Sequence, residues 1–127
     1  MGFALRAREF APSYEECRAM IEKARWEKGI RCAFCSSTVA VRCGLDEKGF
    51  QRYLCRECGR RFNARTGTMF EGSKLEIWEW FYLMKGRADG RSIRSIANDL
   101  RRPYNTIYRA AKKVEKDMLA RRMTSML

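Results

Sequence analysis

The feature that most constrains how this chain can fold is a pair of CxxC motifs, CAFC and CREC, separated by nineteen residues. Two thiolates three residues apart on a tight turn can share one metal ion, and a second such pair completes a tetrahedral S4 site. A turn-forming residue follows each motif, Ser36 after the first and Gly59 after the second. Two disulfides, or four unrelated core cysteines, are the alternatives. We predict one structural Zn²⁺ bound by Cys32, Cys35, Cys55 and Cys58.

Cysteine chemistry depends on the cellular compartment, and the sequence indicates a reducing one. No apolar stretch resembles a secretory signal, and none approaches the roughly 20 residues of a membrane span. We therefore expect a cytoplasmic, nucleoid-associated protein without membrane contact, whose thiols stay free for metal. The two remaining cysteines, Cys17 and Cys43, are expected to pack in a helix and a strand. Because the chain has no histidine, Ser/His/Asp and Cys/His catalysis and His-containing zinc fingers are excluded.

The positive charge of the chain is unevenly distributed. Residues 1–27 carry five basic and five acidic side chains, whereas residues 28–73 carry nine against four and residues 74–127 thirteen against six. The net charge of +12 therefore lies entirely on the CxxC region and the segment after it. Such an excess favours a double-stranded DNA partner, because basic side chains that contact phosphates release counterions. The alternative is an arginine-rich surface that is merely solvated.

Residues 13–72 are predicted to form an N-terminal helix and a zinc ribbon, after an extended arm at residues 1–12. The helix begins at Ser13, whose SYEE context has capping-box spacing, and we expect it to end at Gly29. The runs TVAVRC and FQRYLC alternate as strands do, DEKG supplies the turn, and a third strand leaves Gly59. Zinc must stabilise so small a sheet. The helix side expected to face water comprises Glu15, Arg18, Glu22 and Arg25.

Residues 73–127 are predicted to form a three-helix bundle of the helix-turn-helix kind, which makes the chain an α+β protein. Ser73 begins a helix that is apolar on two sides and must be covered on both, unless it exposes an aromatic patch to a protein partner. Ser92 caps a short second helix with small Ala97 at the close approach, and Pro103 starts a third. Residues 119–127 lack clear periodicity, so they either fray or form a homodimer contact.

The third helix is the predicted reader of DNA, by its N-terminal end in the major groove. Asparagine can pair with adenine and arginine with guanine, while lysines suit phosphates. A helical hairpin with a solvated basic face is the alternative. The predicted DNA contacts are Tyr104, Asn105, Tyr108, Arg109, Lys112 and Lys113 on this helix, Arg101 and Arg102 in the turn before it, and Arg52, Arg56, Arg60 and Arg61 on the ribbon.

These segments in this order resemble the N-terminal region of DDE-type insertion-sequence transposases that carry a transposase zinc-ribbon domain. The resemblance covers residues 10–115 through the runs ARWEKGIRCAFC, QRYLCRECGRRF and TGTMFEGSKL, and the RTGTMFEGSKL connector is its most specific part. The runs GFQRYLC and NTIYR are also similar to the small zinc-finger and helix-turn-helix regulator of the simplest insertion sequences. Both resemblances imply binding to element ends or promoters.

The chain departs from the transposase pattern in three places. Ala33 and Ser36 stand where proline and glycine are usual, and Arg101 and Arg102 occupy a turn that usually has glycine and an apolar residue. The family's catalytic domain, whose three carboxylates bind two metal ions, is missing. We therefore expect a non-enzymatic DNA-binding regulator or mobile-element accessory. The alternatives are a targeting fragment or subunit of a DDE transposase, and an interaction module that docks on transcription machinery or another protein complex.

Overall fold

The structure, a computed structural model, describes residues 11–126, except for the side chains of Met118, Ser125 and Met126. The predicted arm at 1–12 lies outside the described residues but for its last two. None of the helices within this range combines the length and apolarity needed to cross a membrane. The elements, in order, are α1 (Tyr14–Arg25), β1 (Ala40–Leu45), β2 (Gln51–Cys55), β3 (Arg61–Phe62), α2 (Ile77–Ala88), α3 (Ile93–Leu100), α4 (Tyr104–Lys116) and α5 (Met118–Met126).

Helix α1 begins as predicted but ends earlier. The Ser13 hydroxyl accepts from the Glu16 N–H at 3.2 Å and the Glu16 carboxylate accepts from the Ser13 N–H at 3.3 Å, which is a complete capping box. The last helical residue is Arg25, not Gly29. Gly29 instead closes a separate turn, in which its N–H donates to the Trp26 carbonyl at 3.0 Å.

The prediction of which side of α1 faces water is partly wrong. Glu22 accepts a hydrogen bond from the Gln51 N–H at 3.2 Å, and Arg25 donates to the Thr66 carbonyl at 3.1 Å. Both side chains are half-buried, because the sheet and its connector lie beside them. Cys17, expected to pack inside, is fully buried. The helix is thus attached to the ribbon along its polar side as well as its apolar one.

The three strands form one antiparallel sheet in the order β1-β2-β3, as predicted. One face of the sheet is covered by Trp26, whose ring meets those of Tyr53 and Phe62 edge-on, with centroids 5.9 and 5.8 Å away. The Tyr53 and Phe62 rings stack on each other at 5.5 Å. Because few other apolar side chains pack here, this aromatic cluster is the small core of the ribbon.

Asp46, in the turn between β1 and β2, joins the sheet to the connector before α2. Its carboxylate accepts from the N–H groups of Lys48 and Phe50 at 2.8 and 2.9 Å, and from Asn63 Nδ2 and Arg65 Nη2 at 3.0 and 2.9 Å. Burial alone would raise the pKa of Asp46, but these donors hold the pKa below its usual value. The carboxylate therefore stays ionised with all four of these donors bound to it, although the buried Nε of Arg65 has no hydrogen-bond partner among the described residues.

Helix α2 starts three residues later than the predicted cap. Glu76, not Ser73, is its N-cap residue, and the Glu76 N–H donates to the Glu79 carboxylate at 3.0 Å. The Ser73 hydroxyl instead accepts from the Leu75 N–H at 3.0 Å and from the Trp80 indole at 2.9 Å. The local capping pattern was overridden because the hydroxyl satisfies a buried indole.

Helix α2 is the centre of the apolar core, as its two apolar sides predicted. It contacts α1, α3, α4 and α5. Trp80, Phe81, Leu83 and Met84 are buried, and Trp78 and Tyr82 pack against the same cluster. That cluster also includes Ile21 of α1 and Ile107 of α4, so a single core crosses the predicted boundary at residues 72 and 73. This burial gives no support to the alternative, in which the helix exposes an aromatic patch to a protein partner.

Helices α3 and α4 pack on α2 and on each other, joined by the short turn at residues 101–103. Ile96, Ala97 and Leu100 of α3 are buried. Gly86 of α2 also allows a close approach, since a Cβ added there would lie 2.9 Å from Ile96 Cδ1. The close approach was predicted at Ala97 alone, so this glycine was missed.

The three predicted helices are followed by a further helix, α5, which contacts α1, α2 and α4. Leu119, Ala120 and Met123 are buried against the common core, and Arg122 donates to the Ala24 carbonyl at 3.4 Å. Residues 119–127 were predicted either to fray or to form a homodimer contact. The described apolar side chains of this segment are instead covered by the rest of the chain.

This packing predicts that α5 contributes to the stability of the whole chain. Replacing Met123 by alanine should lower the free energy of unfolding by about 2–5 kcal/mol, since it leaves a cavity in the core. Arg121, exposed on the same helix, is the matched control, and Arg121→Ala should change it by about 0.5 kcal/mol or less. Denaturant unfolding of the zinc-loaded protein measures both. Equal effects would mean that α5 does not pack.

Candidate metal centre and nucleic-acid interface

The two CxxC motifs form equivalent turns, or knuckles. In the first, the Ser36 N–H donates to the Cys32 carbonyl at 3.0 Å, and in the second the Gly59 N–H donates to the Cys55 carbonyl at 2.9 Å. Ser36 and Gly59 both have positive φ, 63° and 76°. This left-handed conformation is easy for glycine and costly for serine. The serine that replaces the usual glycine therefore keeps the shape of the knuckle at some cost in strain.

The four motif cysteines meet at one point. The Sγ atoms of Cys32 and Cys58 are 3.6 Å apart, as are those of Cys35 and Cys55, and all four lie within 4.8 Å of one another. A tetrahedron with Zn–S bonds of about 2.3 Å has sulfur atoms about 3.8 Å apart, whereas a disulfide bond is about 2.05 Å long. All six cysteines are free. The disulfide alternative is wrong, and the cluster is a site for one Zn²⁺.

Backbone N–H groups support the thiolate form of two of the four ligands. The N–H of Cys58, which donates to Cys55 Sγ at 3.5 Å, is the main cause that lowers the pKa of Cys55, to about 6. Burial opposes ionisation of Cys32, yet the N–H groups of Phe34 and Cys35 lower its pKa as well. Despite the N–H of Ser37, burial and the neighbouring thiols raise the pKa of Cys35 to about 12, so zinc binding has to displace protons from part of the cluster.

The geometry gives the metal a structural role. Four thiolates fill a tetrahedral coordination sphere and leave no position for a reacting water. Cys32 and Cys55 are buried against the aromatic core of the ribbon, while Cys35 and Cys58 are exposed. Cys43 is half-buried on β1 and, like Cys17, stands outside the cluster. Zinc therefore connects the first knuckle to β2, although nineteen residues lie between the two CxxC motifs in the sequence.

The fold and the metal site agree with one family. Residues 12–61 match the transposase zinc-ribbon domain family. These residues form a transposase-like zinc ribbon.

One relative shares more of the chain than the ribbon. It is an uncharacterized protein in transposable element ISH50 of Halobacterium salinarum, 35% identical over 91 residues, or 71% of this chain. The chain spans only 31% of that relative's length. No solved structure matches the chain. The chain is thus similar to transposable-element proteins in and beyond its zinc-binding region.

Beyond the zinc ribbon, α4 has one buried and one exposed side. Ile107, Ala110 and Ala111 are buried on α2 and α3. The opposite side, which we call the outer face of α4, is exposed throughout as predicted, although exposure alone does not test DNA contact. It comprises Tyr104, Asn105, Tyr108, Arg109, Lys112 and Lys113.

The two arginines of the turn before α4 differ in role. Arg101 is exposed in the left-handed conformation, with φ of 54°, which places an arginine where glycine is usual. Arg102 instead donates from Nε and Nη2 to both carboxylate oxygens of Glu79, at 2.8 and 2.7 Å. Glu79 is 2% exposed. We therefore revise the expected DNA contact of Arg102 and assign it to the packing of the turn on α2.

The four ribbon arginines that were predicted as DNA contacts are all exposed. Arg52 lies on β2, and Arg61 lies on β3. Arg60, after the second knuckle, has its guanidinium 4.9 Å from the ring of Phe34 in the first knuckle, and that ring is 49% exposed. The ribbon thus presents positive charge beside an exposed aromatic ring.

Sequence reasoning missed two residues at this interface. Glu79 was taken only as part of a helix, and its partner lies 23 residues away, so no local pattern could reveal the pair. Arg94 on α3 places its guanidinium 5.5 Å from the Tyr104 ring. Its position could have been found, because the helical phase set by Ile93, Ile96 and Ala97 puts Arg94 on the exposed side.

The zinc geometry predicts that ligand and non-ligand cysteines behave differently. The intact protein should bind about one zinc per chain. Cys55→Ser should lose the metal and the amide-exchange protection of β2 and β3, since structural zinc supplies roughly 10–16 kcal/mol. Cys43→Ser is the matched control and should keep both. Elemental analysis with hydrogen exchange measures the two variants, and zinc retained by Cys55→Ser would refute the assigned site.

The Glu79 pair predicts that neighbouring turn arginines differ in their effect on stability. Arg102→Ala leaves a buried carboxylate unpaired and should cost about 3 kcal/mol, the low end for such pairs because Arg102 is partly exposed. In Arg101→Ala the residue keeps the left-handed backbone conformation and its cost. The change removes no side-chain partner among the described residues, so it should alter the free energy of unfolding by about 0.5 kcal/mol or less. Denaturant midpoints compare them. Similar losses would contradict the structural role of Arg102.

Proposed function

We propose that this protein binds double-stranded DNA with a sequence preference, through the outer face of α4. The observation that carries the proposal is that face itself, where six polar or aromatic side chains stand exposed on a helix whose other side is buried. A short helix, a tight turn and a longer helix packed on a third form the helix-turn-helix arrangement, which places the N-terminal end of the last helix in the major groove.

The side chains on this face divide by their chemistry. Asn105 and Arg109 have no side-chain partner among residues 11–126, and both can contact base edges. Lys113 is likewise unpaired there and suits a phosphate, whereas Lys112 is partly engaged, with its Nζ 3.6 Å from Glu115. Arg101 pays the backbone cost of the left-handed conformation and is exposed beside this face. Strain of this kind at an exposed cation supports a functional reason for it, here a phosphate contact.

The ribbon adds a second DNA contact in this proposal. Its exposed arginines, Arg52, Arg56, Arg60 and Arg61, lie outside the ion pairs formed within residues 11–126. Phosphate contacts of this kind increase affinity without reading sequence. Base preference then comes from α4 and additional affinity from the ribbon.

The biological role we propose is a transcriptional regulator or a mobile-element accessory, located at the nucleoid. A targeting part of a larger transposase is the second candidate, favoured by the observation that the chain spans only 31% of its ISH50 relative. The absence of strand-transfer chemistry stays a prediction. A neighbouring reading frame that encodes a DDE-type protein, whose product co-purifies with this protein, would decide for the second candidate.

The proposed division of labour predicts different effects for two exposed cations on α4. Site selection from random duplexes at graded salt should enrich a motif bound by the wild-type protein. Arg109→Ala should relax preference at one base pair by about 1–3 kcal/mol. Lys113→Ala should weaken all duplexes about equally and reduce the salt slope by about one.

The selection has a clear negative outcome. Uniform, salt-sensitive binding with no enriched duplex would count against specific recognition, and no binding at low salt would refute DNA binding altogether. Loss of base preference in Lys113→Ala with none in Arg109→Ala would reverse the assigned roles.

A further inference from the structure

Four side chains form a continuous stack along α3 and α4, which we call the tyrosine ladder. The rings of Tyr104 and Tyr108 lie one helical turn apart, with centroids 6.1 Å apart and planes inclined by 23°. The Arg94 guanidinium lies 5.5 Å from the centre of the Tyr104 ring, and the Lys112 ammonium lies 5.4 Å from that of Tyr108. The order is therefore cation, ring, ring, cation.

The ladder leaves its ring edges and hydroxyls freer than its ring faces. Each ring has the other ring on one side, at a centroid distance of 6.1 Å, and a cation 5.4–5.5 Å from its own centroid. Tyr104 and Tyr108 are nevertheless 44% and 41% exposed. Among the described residues neither hydroxyl has a hydrogen-bond partner. A base that stacked on either ring would compete with these contacts, so the ladder is better suited to contact through its edges.

Among the base edges of the major groove, thymine fits this surface best. It presents an acceptor, O4, next to an apolar C5-methyl group, and no other unmodified base carries a methyl group there. A tyrosine edge offers the complement, an O–H donor next to apolar ring carbons. Cytosine offers a donor in place of the acceptor and lacks the methyl.

We propose that Tyr104 and Tyr108 read thymine methyl groups in the major groove, as specificity-determining residues of α4 in addition to Asn105 and Arg109. The inference rests on the proposed function, because it assumes that this face binds DNA. Stacking holds both rings in place before binding, which reduces the entropy lost when the interface forms. Arg94 and Lys112 add positive charge at the two ends of the ladder, where phosphates border the groove.

The test replaces thymine by deoxyuridine, which removes the methyl and keeps the O4 acceptor. In the duplex enriched by selection, each thymine is replaced in turn and the Kd is measured by fluorescence anisotropy at one salt concentration. Burying one methyl group contributes about 0.8 kcal/mol, and a tenfold change in Kd corresponds to about 1.4 kcal/mol. Loss of one buried methyl should therefore raise the Kd of the wild-type protein about fourfold.

Three variants connect the methyl effect to the ladder. Tyr104→Ala and Tyr108→Ala should each abolish the penalty at one thymine position, while Tyr108→Phe should retain it because the ring edge remains. Lys113→Ala is the matched control and should bind more weakly yet keep the full penalty. Zinc content and circular dichroism confirm folding, and the wild-type series stands even if a variant fails to fold.

The outcomes separate this inference from the proposed function. If no duplex is enriched, the proposed function fails. If a duplex is enriched but lacks thymine, or if its deoxyuridine forms bind as tightly as the original, specific DNA binding stands and the tyrosine ladder does not read methyl groups. A penalty that persists in both alanine variants would assign the methyl contact to another residue.

Discussion

Zinc coordination by four thiolates is the interaction on which the rest of the structure depends. The ribbon core consists of little more than the rings of Tyr53 and Phe62 and the buried cysteines Cys32 and Cys55. Burying a single aromatic side chain contributes only about 1.5–3 kcal/mol, so a core of this size is too small to order the ribbon by itself. Structural zinc adds roughly 10–16 kcal/mol to it. Trp26 then joins this metal-dependent core to the helices, because its ring contacts both clusters.

Two buried carboxylates complete the connection between the ribbon and the helices that follow it. Asp46 orders the connector through Arg65, and Glu79 orders the turn before α4 through Arg102. Such pairs contribute little net stability against apolar replacements, but each demands a particular partner at a particular place. Their value here is geometric, since each pair fixes one connecting segment against its neighbours.

The sequence predicted what is local and failed where distant partners decide. Cysteine spacing placed the metal site, and the caps at Ser13 and Ser92 placed two helix starts, because each of these motifs joins residues three positions apart. Ser73 has the same cap spacing, yet its hydroxyl satisfies the Trp80 indole instead. Helix α5 escaped prediction because its short apolar stripe, which ends in Met123, makes sense only once α1 and α2 are there to cover it.

The common core changes how the two functional parts relate. A zinc ribbon and a helix-turn-helix unit joined by a linker would search for DNA independently, and their contacts would add only through an effective concentration. Here one apolar cluster includes residues of α1, α2, α4 and α5, so the ribbon and the outer face of α4 are held by the same packing. The spacing between the proposed base-reading and phosphate-binding contacts is then set by the fold, which would restrict the duplex geometries that satisfy both. The proposed recognition would therefore depend on DNA shape as well as on sequence.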